Sequence, residues 1–102
     1  MTNKAIIKLV VVQNEKWEHI PVQVCVTRYE EGKPPQTFDS MIRPPEGSHF
    51  KNLPRHLNMD ILKNAPSVYT VAKLVEEMVQ GCKIESDNAF KLLMKNKSTM
   101  TA

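Results

Sequence analysis

Apolar positions along this chain follow two periods, and each period predicts a different kind of element. Residues 5–12 hold Ala5, Ile6, Ile7, Leu9, Val10, Val11 and Val12 around the single charge of Lys8. A run so rich in β-branched residues predicts a strand covered on both faces. Residues 14–19 are polar and turn-like around Trp17. Ile20, Val22, Val24 and Val26 then alternate with Pro21, Gln23, Cys25 and Thr27, a period of two with one apolar face. Pro21 is tolerable near a strand start. Residues 30–35 read as a turn, because Gly32 permits positive φ and Pro34 and Pro35 cannot donate to a ladder. Residues 37–43 alternate again, Phe38, Ser40 and Ile42 against Thr37, Asp39 and Met41. Consecutive strands with short connections predict an antiparallel meander.

Beyond Pro44 and Pro45 the period changes. Residues 46–54 read as a polar loop, and a short helix is expected over 59–63. Ser67 is a good N-cap, and Val68, Val71, Ala72, Val75, Met78 and Val79 form one stripe at helical spacing, stopped by Gly81. Residues 82–85 suit a brief strand, which after a crossover helix would lie parallel to an earlier one. Ser86 or Asp87 would cap a last helix over 88–96, with Phe90, Leu93 and Met94 facing inward. Residues 97–102 read as a frayed polar tail. The expected fold class is α+β or α/β: a three-stranded antiparallel meander plus one short parallel strand with helices, in a single domain over 1–102.

Composition narrows the setting. Hydrophobic residues make up 41% of 102 and charged residues 25%, ordinary for a globular domain. No apolar run approaches the roughly 20 residues of a membrane span, so no membrane partner is expected. No secretory leader is apparent, so a cytoplasmic location is expected, with Cys25 and Cys82 as reduced thiols. A net charge of +3 is compatible with a nucleic-acid partner without requiring one. Lys83, Lys91, Lys95 and Lys97 gather around the last helix, either as its solvated exterior or as a phosphate-facing patch. Trp17 is either a partly buried anchor or a stacking ring for a base. His49 and His56, seven apart and without a nearby cysteine, do not suggest zinc.

Four stretches carry a resemblance: Gln13-Asn14-Glu15 after the first strand, residues 38–44, residues 59–67, and residues 84–91 with Asn88, Phe90 and Lys91. In order and spacing they resemble the front half of the DEDD-type 3′–5′ exonucleases, the family of the DNA polymerase III proofreading subunit and RNase T. The resemblance implies a shortened RNase H-like fold. In that family the first strand ends in Asp-x-Glu, and an asparagine and phenylalanine precede a second metal-binding aspartate. Here Gln13 stands for the first carboxylate, Glu15 for the glutamate and Lys91 for the later aspartate. The family's third motif would fall beyond Ala102.

Two-metal phosphodiester hydrolysis needs several carboxylates around ions roughly 3.5–4 Å apart. An amide is a poor magnesium ligand, and an ammonium repels the ion. His19, His49 and His56, all in loop-like segments, offer no clear general base. The expected function is therefore a catalytically inactive exonuclease-like module that binds protein or nucleic acid, self-associating or held by a protein partner, with no cofactor. The alternative is a residual metal-dependent 3′–5′ exonuclease using Mg²⁺ or Mn²⁺. Its ligands would be Glu15 and Asp87, joined by Asp39 or a second subunit. A third reading is an α+β domain unrelated to exonucleases.

Overall fold

A computed structural model describes residues 3–45, 47, 49–50, 53–85 and 87–99. Among them, four strands make one mixed sheet beside three helices, an α+β arrangement. The strands are β1 (Asn3–Gln13), β2 (His19–Tyr29), β3 (Gln36–Met41) and β4 (Cys82–Ile84); the helices are α1 (Met59–Lys63), α2 (Val68–Met78) and α3 (Asp87–Thr99). Sheet order is β3-β2-β1-β4. β2 runs antiparallel to both its neighbours, and β4 is parallel to β1, as the crossover predicts. No described helix is long and apolar enough to cross a membrane.

The main core lies on one face. Ala5 and Ile7 of β1 and Val24 and Val26 of β2 pack against Val68, Val71, Ala72, Val75 and Val79 of the α2 segment and Leu93 of α3. α2 forms where its stripe predicts. Ser67 Oγ accepts from the Thr70 amide at 3.2 Å, and Gly81 turns the chain at φ 79°.

β1 departs from the expectation of cover on both faces. Its helix-side residues Ala5 and Ile7 are buried, whereas Lys4 and Lys8 on the other side are exposed and Ile6 is half-buried. Only the far end of that second face is covered. There Val12, Ile20 and Val22 form a smaller core with Leu57 and Leu62, flanked by Val10, Met41 and Leu53.

The apparent single stripe Ile20-Val22-Val24-Val26 is therefore two. Val10 pairs with Gln23 and Val11 with Pro21, which leaves Val22 without an opposite residue. One extra residue inverts the alternation of β2. Beyond the bulge Val24 and Val26 face the helices; before it Ile20 shares the opposite face with Val12. Pro21, which has no amide to donate, sits buried at this irregularity.

Smaller departures follow. His19 opens β2 instead of lying in a loop. α3 continues to Thr99, so 97–99 belong to a helix and only 100–102 of the expected tail fall outside the described residues. Asp87 is the first helical residue, and Ser86, the other expected cap, also lies outside the described residues, as do 46, 48 and 51–52 of the expected loop.

Candidate functional site

Glu15 sits in the β1–β2 hairpin, exposed. Asn14 organises this turn: its Oδ1 accepts from the Lys16 and Glu18 amides, both at 2.9 Å, and its Nδ2 donates to Glu18 at 3.1 Å. Trp17 adopts φ 64° there and is 63% exposed, so the ring is presented outward instead of anchoring a core. Gln13, exposed, closes β1 opposite His19.

Asp87 begins α3 at the β4 end, just after the Glu85 amide donates to the Ala5 carbonyl at 3.0 Å. The other end of α3 reaches the hairpin, where Leu92, Lys95 and Asn96 line a groove of about 310 Å³ with Glu18, His19 and Ile20. Eight residues separate Asp87 from Lys95, about 12 Å along a helix axis. Glu15 and Asp87 thus lie toward opposite ends of α3, and the fold does not gather them at one point. Asp39 lies on the sheet face away from the helices, receiving a long 3.4 Å contact from Gln23 Nε2. Among the described residues no group of three or more His, Cys, Asp or Glu is placed to hold a metal.

The lysines divide as well. Lys97 donates to Glu76 Oε1 at 2.6 Å and lies 5.6 Å over the Tyr69 ring, tying α3 to α2. Lys95 lines the hairpin groove, and Lys91 is exposed on the same helix. Lys83 points the other way. It is paired in register with Lys4, across from which lies Tyr29. Since α3 buries Leu93 against the helix side, its lysines and Lys83 occupy opposite faces of the sheet and form no common patch.

Lys4, Lys8 and Tyr29 belong to no motif and escape a reading by motif. Their signal is periodic: Lys4 and Lys8 flank Ile6 at a spacing of two, which places all three on one strand face. Arg28 escapes it too. Its Nη1 donates to the Met78 carbonyl at 2.7 Å and the Gln80 carbonyl at 3.1 Å, satisfying acceptors at the end of α2. Its Nε donates to Glu30 at 2.7 Å, and Lys33 lies 3.2 Å from the same carboxylate. Hydrogen bonds from Lys33 and then Arg28 hold the Glu30 carboxyl below its ordinary range. His56 Nε2 contacts Gln23 Oε1 at 2.9 Å, a link between the 53–58 segment and the sheet.

Comparison with known proteins gives no match to a family model and none to a curated protein.

Proposed function

We propose that this chain is a catalytically silent, exonuclease-like binding module built on a shortened RNase H-like sheet and working through contacts with protein or nucleic acid. The observation that carries this reading is the placement of β4. It returns parallel to the first residues of β1, outside an antiparallel β1–β2–β3 set, and leads directly into the helix that bears Asn88, Phe90 and Lys91. That is the order the exonuclease resemblance implies. Gln13 and Lys91 stand where such a scaffold would carry carboxylates, and an ammonium there opposes a divalent ion.

Self-association belongs to the same proposal. Tyr69 and Leu74 on α2 are 39% and 44% exposed, apolar surface that a second copy would cover. Light scattering at micromolar concentration is expected to give a dimer; a clean monomer removes this part. A reducing cytoplasmic setting suits the two free thiols, Cys25 and Cys82.

Hydrolysis is the test of silence. End-labelled single-stranded DNA or RNA incubated with the protein and Mg²⁺ or Mn²⁺ is expected to remain full length. Shortening from the 3′ end that disappears in Glu15→Ala overturns the proposal in favour of a metal-dependent nuclease.

A further inference from the structure

The face of the sheet turned away from α2 and α3 has a regular composition. Strand register sets Lys83, Lys4 and Tyr29 side by side across β4, β1 and β2. The next row on that face is Ile6, Thr27 and Thr37, and the next Lys8, Cys25 and Asp39. Every one of these is exposed or half-buried, while Ala5, Ile7, Val24 and Val26 on the reverse are buried.

Charge is distributed unevenly across these rows. Lys4 lies 3.5 Å from Glu85 and 5.8 Å over the Tyr29 ring. Among the described residues Lys8 and Lys83 enter no ion pair. Asp39 sits on β3, three strands away from β4. The β4–β1 side is therefore the positive side, and β3 the negative one. Lys4 and Lys8 are four residues apart on one strand, about 13 Å. Between them Ile6 and the neighbouring threonines offer a flat, weakly polar floor.

We propose that this face binds single-stranded nucleic acid, its phosphates following Lys83, Lys4 and Lys8 and a base stacked on Tyr29. The assignment rests on the binding-module reading and names the surface and ligand for it. Lysine ammoniums are point charges that attract phosphate without reading sequence. An exposed ring accepts the π-face of any unpaired base. Bases in a duplex are stacked on one another and give Tyr29 nothing to hold, which favours the single strand.

The test is fluorescence anisotropy of a labelled oligothymidylate at several salt concentrations. Lys8→Glu with Lys83→Glu is expected to weaken binding about tenfold or more and to flatten the log–log salt dependence by about 1.4, the share of two phosphate contacts. Tyr29→Leu, which keeps apolar bulk, is expected to weaken it roughly fivefold. Lys63→Glu with Lys73→Glu makes the same charge change on α1, beyond the small core that closes the far end of this face, and on α2, across the sheet from it, and is expected to bind within about twofold of wild type. All these side chains are exposed, and circular dichroism checks that each variant folds.

Absence of binding by the wild type at low salt overturns the proposal. So does an equal loss from the control pair, or a larger one from Lys91→Glu with Lys95→Glu, which would move the site to α3. Displacement of the oligonucleotide by polyglutamate at equal charge concentration would reassign the face to an acidic peptide. A wild-type dimer that falls apart on the Lys8 and Lys83 reversal would reassign it to a second copy. Shortening of the oligonucleotide with Mn²⁺ contradicts catalytic silence instead, and leaves this assignment to be decided by the variants.

Discussion

The two faces of the sheet are cut from the same strands yet have opposite characters. On the helix side, β1 and β2 contribute Ala5, Ile7, Val24 and Val26, all buried against α2 and α3. On the reverse they contribute Lys4, Ile6, Lys8, Cys25 and Thr27, none of them buried. A two-residue period divides one backbone into a surface that supplies cohesion and a surface left available for contact. The β2 bulge limits this division to part of the sheet: from Val22 back toward the β1–β2 hairpin the second face closes over its own small core with Leu57 and Leu62.

Adjacent isoleucines test the contrast most strongly. Ile7→Ala is expected to destabilise by about 3 kcal/mol in urea unfolding, because it opens a cavity at a residue only 2% exposed. Ile6→Ala is expected to cost less than about 1 kcal/mol. Equal losses would mean that both faces are packed. Next in size is Arg28→Ala, which leaves the Met78 and Gln80 carbonyls without their cationic donor. A loss of about 2 kcal/mol is expected, with Arg28→Lys recovering part of it. Ser67→Ala removes the N-cap of α2 and is expected to cost about 1 kcal/mol by the same measurement.

The smallest effect is electrostatic. Lys33 and Arg28 hold the folded-state Glu30 carboxyl below its ordinary value of 4.5. Its contribution is therefore complete at neutral pH and is lost as pH falls below that ordinary value through the lowered one. Wild type and Glu30→Gln, compared by unfolding across this window, should differ modestly at neutral pH and converge in acid. A gap that persists unchanged in acid would place the effect of the substitution outside the ion pair.

Elements whose signals are local were legible in the sequence. α2 carries its cap at Ser67, its stripe and its stop at Gly81 within one short stretch, and the structure follows them. The brief β4 was legible because a strand after a crossover helix has few places to pair. The bulge was not: Ile20, Val22, Val24 and Val26 keep an unbroken period of two, and only the register against Val10 and Val11 reveals the extra residue. Lys8 alone amid apolar neighbours suggested a fully covered strand, although Lys4 and Lys8 share one side of it. The candidate site was less legible than the fold. Lys83, Lys91, Lys95 and Lys97 are close in sequence, but β4 turns Lys83 to one face while α3 occupies the other. Glu15 and Asp87 lie toward opposite ends of α3 because the long β1 separates the hairpin from β4.

The division between a cohesive face and a working face is most directly tested by titrating ¹⁵N-labelled protein with oligothymidylate and following each backbone amide by NMR. Shifts should concentrate at Lys4, Ile6, Lys8, Thr27, Tyr29 and Lys83 and leave the outer residues of α3 unmoved. Shifts centred on Lys91 and Lys95, or none anywhere at low salt, would contradict it.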